Sequence, residues 1–205
     1  MDITKQTLQV SWKDYIKSLI ICFISFILIF YGNEYITANK NSAFVFAFKW
    51  EQNIPYLRYF FLVYYGIFLL PILVPILIRN KQNLNTLTKQ IFFANIIAGI
   101  FFFYFPTTSI YIPPDTKTVF WDITYKLTGK FNLFPSLHVT LALIYIKPLK
   151  FYSNTNIKLI FTILAPSLVL STLFTHQHHI ADIIGGIVLY EILIRIFPYE
   201  FQHKL

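Results

Sequence analysis

Three histidines and one aspartate lie within seven residues near the C-terminal end of the chain, in the stretch STLFTHQHHIADIIGG (171–186). His178 and Asp182 are four residues apart, so a helix that begins near them would place both on one face. A carboxylate that accepts the Nδ1–H of an imidazole fixes its tautomer and leaves Nε2 free as a nucleophile or a base. The Gly185–Gly186 pair that follows predicts close packing against another helix.

A second short stretch, FPSLH (134–138), could supply an anion site and another imidazole. Pro135 suits the first turn of a helix, where its missing N–H costs nothing. The N–H groups of such a turn favour an anion, Ser136 adds a hydroxyl donor, and His138 belongs to the same turn. Two imidazoles around an anion site predict phosphoryl transfer. His178 would attack phosphorus to form a phosphohistidine, and His138 would protonate the leaving oxygen and then activate water or an alcohol.

The composition of the whole chain is that of a membrane protein. Of its 205 residues, 56% are hydrophobic and only 13% are charged, whereas a soluble domain carries about 25% charged residues. Six apolar segments predict an all-α polytopic protein with a single domain over 1–205, and they lie at about 18–31, 59–78, 91–105, 136–146, 159–174 and 180–197. Several are shorter than the ~20 residues that a spanning helix needs. The 136–146 segment must either continue through Pro148 or begin below the membrane surface.

The basic residues predict the orientation in the membrane. Most of the 17 Lys and Arg residues fall in the N-terminal tail, the 79–90 and 147–158 loops and the C-terminal end. The positive-inside rule then places both termini in the cytoplasm, and the 106–135 loop and the THQHH stretch together on the other side. The net charge of +8 is therefore a topology signal, and no basic stripe with interleaved aromatic residues indicates nucleic acid. Cys22, the only cysteine, excludes an intramolecular disulfide.

The PSLH and STLFTHQHHIAD stretches together resemble the second and third motifs of the type 2 phosphatidic acid phosphatase superfamily. The matching positions are Pro135, Ser136 and His138 in the second motif and Ser171, His178 and Asp182 in the third. The resemblance covers roughly 101–197 and is closest to the branch that includes inositol phosphorylceramide synthase-like proteins. It implies a six-helix bundle with the active site at the extracytoplasmic face. It also implies metal-independent phosphoester cleavage on a phosphorylated lipid, without a cofactor. The small size and short loops favour a bacterial inner membrane.

The chain departs from that family at the cations that bind phosphate. The first motif would supply Lys and Arg, but the corresponding region reads FPTTSIYIPPDTK, in which Lys117 is the nearest cation. Thr172 stands at the position of the third-motif Arg, and His176 stands where this branch often has Lys. We therefore expect Ser136, Lys117, a protonated His176, Ser171 and Thr172 to form the phosphate-binding set, with Lys126 or Lys130 as other possible cations.

Three alternatives remain at the level of the sequence. The phosphohistidine could be opened by a lipid alcohol instead of water, which would make the protein a phosphotransferase. The missing cations also fit a catalytically silent, lipid-binding relative. A metal site could form from His178 with Asp182, or from His176 with His179, with His138 as a further ligand. The sequence does not identify the lipid, since a phosphatidate, an isoprenoid diphosphate, a lipid-A-type phosphate or phosphatidylinositol all fit, nor the oligomeric state.

Overall fold

The computed structural model describes residues 9–37, 43–111, 119–127, 131–151 and 155–200. Within these ranges the regular backbone is helical, and only two isolated bridges, Gln9–Asn80 and Phe44–Thr107, pair extended residues. The described α-helices are α1 (Trp12–Thr37), α2 (Phe60–Tyr64), α3 (Leu70–Leu77), α4 (Lys81–Tyr104), α5 (Val119–Leu127), α6 (Leu137–Ile146), α7 (Thr155–Phe174) and α8 (Ile180–Ile196). Three 3₁₀-helices cover Lys49–Asn53, Tyr65–Leu69 and Lys147–Phe151.

The apolar helices indicate a membrane protein, as the composition predicts. Among the described residues, three helical segments are long and apolar enough to cross a bilayer: Trp12–Thr37, Phe60–Leu77 and Lys81–Tyr104. Leu137–Leu149 and Lys158–Phe174 are apolar but shorter. The 136–146 segment takes the first of its two predicted courses, because a 3₁₀-helix carries it through Pro148.

The Phe60–Leu77 segment is not one regular helix. It consists of α2, a 3₁₀ turn at Tyr65–Leu69 and α3. Pro71 has no N–H to donate to the carbonyl of Ile67, and the Leu70 N–H donates there instead, with the shorter spacing of a 3₁₀-helix. The segment thus changes helix type just before Pro71, the first proline within it.

The central helix of the bundle is α6, which carries His138. It packs against α3, α4, α7 and α8, and most of its ten residues are buried. A helix that is apolar on all sides is buried on all sides, and its LHVTLALIYI sequence fits that rule. Its N-terminus is capped by Ser136, whose hydroxyl accepts the N–H of Val139 at 3.3 Å.

Different segments of the chain meet at the two ends of the bundle. At one end the start of α1, the start of α4 and Glu200 meet: Lys81 pairs with Asp14 at 2.8 Å, and the Asn83 side chain donates to the Glu200 carbonyl. At the other end the Leu57 N–H donates to the Phe174 carbonyl, and the Thr107 N–H donates to the Phe131 carbonyl. The 106–111 segment and the histidine-rich stretch lie at this second end.

The N-terminal parts of α6 and α8 approach each other unusually closely. A Cβ atom at Gly186 would lie 2.6 Å from the backbone oxygen of Ser136, and one at Gly185 would lie 2.5 Å from the ring of Phe134. The Thr140 hydroxyl hydrogen-bonds to the Gly186 carbonyl at 3.0 Å across the same contact. The prediction that this glycine pair permits close helix packing is confirmed.

Gly186→Ala should therefore destabilise the protein by about 2 kcal/mol, because its Cβ meets backbone that cannot rotate away. Gly32→Ala is the matched control, since a Cβ at Gly32 meets nothing within 4 Å and alanine is the better helix former. Thermal unfolding of both variants in detergent, followed by circular dichroism, compares them. Equal stability of the two variants would contradict the close approach of α6 and α8.

Candidate active site

His178 lies in the turn between α7 and α8, two residues before α8 begins. Its N–H donates to the Thr172 carbonyl at 3.1 Å, and its side chain is buried. The Nδ1 atom is 3.6 Å from Oδ2 of Asp182, beyond hydrogen-bond length. Asp182 reaches this position from the first turn of α8, where the same oxygen accepts the His179 N–H at 2.8 Å. The predicted proximity is present, although His178 precedes the helix instead of starting it.

His138 occupies the second position of α6. Its ring stacks on Tyr64, with centroids 4.1 Å apart and an interplanar angle of 18°. Its Nε2 atom is buried and has no hydrogen-bond partner among the described residues. The prediction for Pro135 is wrong in one respect: Pro135 precedes the N-cap residue Ser136 and lies outside the first turn, after a cis peptide bond.

His138 and His178 line the same cavity inside the bundle. This cavity measures about 590 Å³, and its wall is formed mainly by apolar side chains of α1, α3, α4 and α6 and of the 3₁₀ turn before α3. No Lys or Arg belongs to the described residues that line it. The structure therefore brings two imidazoles, one of them beside a carboxylate, to an apolar space.

The other predicted phosphate ligands are placed differently. The hydroxyls of Ser171 and Thr172 donate to the carbonyls of Leu168 and Val169 within α7, and both side chains are buried away from the cavity. Ser136 is also fully buried, with its hydroxyl engaged in capping α6. A helix hydroxyl has a nearby carbonyl to bond, so Ser171 and Thr172 as placed offer no donor to the cavity, and Ser136 does not line it.

The predicted cations of the first-motif region cannot be placed in the site. Lys117 and Lys130 lie outside the described residues, and so does the side chain of Lys126.

The surroundings of His176 do not favour the positive charge expected of it. Its ring is half-buried, and Nε2 donates to the Ile54 carbonyl at 2.9 Å. Burial lowers the pKa of this imidazole, and nearby His179 lowers the pKa further, although the hydrogen bond to Ile54 opposes both effects. His176 also stacks on Tyr111, with ring centroids 4.1 Å apart, so its ring is held in place by packing.

His179 forms a second imidazole–carboxylate pair that the sequence did not reveal. Its Nε2 atom accepts the Ile110 N–H at 3.2 Å, so its proton lies on Nδ1, which donates to Glu51 at 2.9 Å. Glu51 is fully buried and also accepts the N–H groups of Phe48 and Ile180. In the sequence, the only sign of this pair was Glu51 itself, an acidic residue that directly follows the aromatic stretch 44–50.

The comparison with known families agrees with the resemblance that the two histidine motifs indicated. The model of the PAP2 superfamily matches residues 42–196, which include both histidine motifs and Glu51. The chain belongs to the PAP2 superfamily. Membership indicates a phosphatase or phosphotransferase type of activity. No curated protein and no solved structure matches the chain.

A metal centre was the alternative use of the same histidines. Within the described ranges, no group of three or more His, Cys, Asp and Glu side chains has the arrangement of a metal site.

Glu51→Ala should lower the free energy of unfolding by roughly 3 kcal/mol, because one buried and two partly buried N–H donors lose their partner. Glu191→Gln is the control: this carboxylate lies 3.6 Å from Arg195, and both side chains are largely exposed, so its loss should cost less than about 1 kcal/mol. Chemical unfolding in detergent measures both. A Glu51→Ala protein as stable as the control would show that the buried pair does not stabilise the α8 N-terminus.

The lowered pKa of His176 predicts a contribution to the pH dependence of stability. Below the ordinary histidine pKa of about 6.5, the unfolded chain binds a proton that the folded His176 does not, so stability falls as the pH decreases. In His176→Gln, whose amide can still donate to Ile54, the decrease in Tm between pH 7.5 and pH 5.5 should be smaller than in wild type. An equal decrease in both proteins would mean that the folded His176 protonates normally.

Proposed function

We propose that this protein is an integral membrane phosphatase that hydrolyses a phosphomonoester or diphosphate of a lipid through a phosphohistidine. The observation that carries the proposal is the shared cavity, in which His138 and His178 face an apolar space. Phosphoryl transfer needs a nucleophile and a proton donor near one phosphorus atom. An apolar space beside them suits the hydrocarbon part of a lipid.

In the proposed first step, Nε2 of His178 attacks phosphorus and the bond from phosphorus to the lipid oxygen breaks. The electron pair goes to that oxygen, which takes a proton from His138 and leaves as the lipid alcohol from a phosphomonoester or as the lipid monophosphate from a diphosphate. Asp182, 3.6 Å from Nδ1 of His178, stabilises the positive charge that develops on the ring. A shortening of this contact in the substrate complex fits the behaviour of catalytic hydrogen bonds, which tighten when substrate binds.

In the second step, His138 removes a proton from water, and the water oxygen attacks phosphorus. The phosphorus–nitrogen bond breaks, inorganic phosphate forms and His178 is regenerated. If a lipid alcohol replaces water, the product is a new phospholipid and the protein is a phosphotransferase. The apolar wall of the cavity favours this second candidate, because it would admit a lipid alcohol as readily as the substrate.

The phosphate itself would lie at the first turn of α6, next to His138. Lys117 is the proposed cation for it, since the sequence places this lysine shortly after the 106–111 segment at the same end of the bundle. The hydroxyls of Ser136, Ser171 and Thr172 would hold the surrounding backbone, in keeping with their bonds to helix N–H and carbonyl groups.

We further propose one six-span domain with both termini in the cytoplasm and the active site on the extracytoplasmic side of a bacterial inner membrane. The lysine-rich end formed by the starts of α1 and α4 and by Glu200 lies opposite the histidine end. The positive-inside rule supports that orientation. The three helices α6, α7 and α8 would complete the bundle beside the three longer segments.

His178→Ala should reduce kcat for phosphate release by at least about 1,000-fold, because it removes the nucleophile. His138→Ala should reduce it by roughly 100-fold or more, through loss of the proton donor. The assay uses detergent-purified protein with excess EDTA and a panel of lipid phosphates and isoprenoid diphosphates, with and without added lipid alcohol. A phosphorus-labelled substrate should leave an acid-labile label on wild type and none on His178→Ala.

His203→Ala, in the C-terminal tail, is the matched histidine control and should retain full turnover. Retained turnover in His178→Ala would overturn the assignment of the nucleophile. Wild type that binds lipid phosphates yet neither releases nor transfers phosphate would instead identify a silent lipid-binding relative.

A further inference from the structure

Two buried asparagines, Asn95 of α4 and Asn132 just before α6, line the cavity that holds the two histidines. Their exposed fractions are 0% and 4%. Both carboxamide oxygens are buried, and neither has a hydrogen-bond partner among the described residues. A buried acceptor without a donor typically costs 1–3 kcal/mol, so two of them in one apolar cavity call for an explanation.

The orientation of the Asn132 amide is fixed by its neighbour. Its Nδ2 atom lies 2.9 Å from the carbonyl oxygen of Phe30 in α1. A backbone carbonyl can only accept a hydrogen bond. The NH₂ group must therefore face the Phe30 carbonyl. The carboxamide oxygen of Asn132 then receives no hydrogen bond from Phe30.

The Asn95 amide is fixed by a chain of two hydrogen bonds. The Ser25 hydroxyl donates its single proton to the Cys22 carbonyl at 3.0 Å. It can then only accept from Asn95, whose Nδ2 lies 2.8 Å away. The Asn95 oxygen is thus left as an acceptor, as in Asn132.

Asn95 and Asn132 hydrogen-bond to α1 at different heights along that helix. Asn95 bonds at Ser25 and Asn132 bonds at Phe30, five residues further along the helix, which corresponds to about 7.5 Å of rise. Asn132 is on the side of the bundle where α6 begins, near His138, and Asn95 lies deeper. A molecule that extends from the histidines into the cavity would pass both acceptor oxygens.

We propose that Asn95 and Asn132 form a polar subsite for a lipid that carries a hydroxyl or an amide N–H below its phosphate. The inference rests on the proposed function, in which the lipid occupies this cavity. A donor on the lipid would satisfy one or both carboxamide oxygens in a space of low dielectric, where such a bond is strong. Ester-linked diacyl lipids offer only acceptors there, and isoprenoid chains offer no polar group, so the subsite discriminates against both.

A pair of lipid phosphates that differ by one atom tests the subsite. N-palmitoyl ethanolamine phosphate contains an amide N–H where O-palmitoyl ethylene glycol phosphate contains an ester oxygen, and the chains are otherwise the same. The ratio of their kcat/KM values on wild-type protein in detergent should favour the amide at least tenfold, the effect of one buried hydrogen bond. Because the ratio comes from one preparation, it does not depend on the fraction of folded protein.

Asn132→Leu and Asn95→Leu should bring that ratio towards one. Gln90→Met is the matched control: Gln90 is also fully buried, its Nε2 donates to the Phe197 carbonyl at 2.7 Å and its oxygen also has no partner among the described residues, but it does not line the cavity. This variant should keep the wild-type ratio. A ratio near one in wild type, or a ratio that the two leucine variants leave unchanged, would overturn the proposal and assign the two oxygens to water.

Direct binding separates this inference from the catalytic proposal. Equilibrium binding of the same two lipids to His178→Ala, followed by intrinsic tryptophan fluorescence, does not require turnover. Tighter binding of the amide lipid that is lost in His178→Ala/Asn132→Leu would support the subsite even if no lipid is hydrolysed. Equal binding of both lipids would reject the subsite, even if phosphate release by wild type confirms the phosphatase.

Discussion

The geometry of the site depends on the close contact between the N-terminal ends of α6 and α8. The Ser136 N–H donates to the Asp182 carbonyl at 3.0 Å, and the Thr140 hydroxyl reaches the Gly186 carbonyl. His138 follows Ser136 by two residues, and His178 precedes Asp182 by four. A shift of one helix against the other therefore moves the two imidazoles relative to each other. Because catalysis loses rate with displacements of about 1 Å, the glycine pair that permits this packing would also matter for the proposed chemistry.

The buried Glu51 adds a second constraint on the same helix end. It joins the 3₁₀-helix at Lys49–Asn53 to His179 and to the first N–H of α8, which are distant in sequence. A buried carboxylate is costly unless donors surround it, and three donors do so here. Tyr111 stacks between the rings of His176 and His179 at 4.1 and 4.5 Å. The two histidines next to His178 are thus held by packing and by hydrogen bonds, which leaves His178 as the one of the three that faces the cavity.

The sequence predicted the features that depend on local spacing. The positions of the apolar helices followed from hydropathy, and the proximity of His178 to Asp182 followed from a four-residue interval. It also predicted two imidazoles around one site, and His138 and His178 do line one cavity. It could not predict the pairing of Glu51 with His179, which are distant in sequence. Nor did it show that the Ser171 and Thr172 hydroxyls bond to carbonyls of their own helix, because a motif position carries no information on such a bond.

The distribution of charge in the cavity constrains where a substrate can lie. A phosphate dianion without charged partners is strongly disfavoured in an apolar space, and the described lining contains no Lys or Arg. In the proposed mechanism the phosphate would then remain at the end of the cavity where α6 begins. The hydrocarbon part of the lipid would extend inward, past Asn132 towards Asn95. The low dielectric of the cavity strengthens the interaction between His178 and Asp182, so the feature that would exclude the charged headgroup from the interior would also activate the proposed nucleophile.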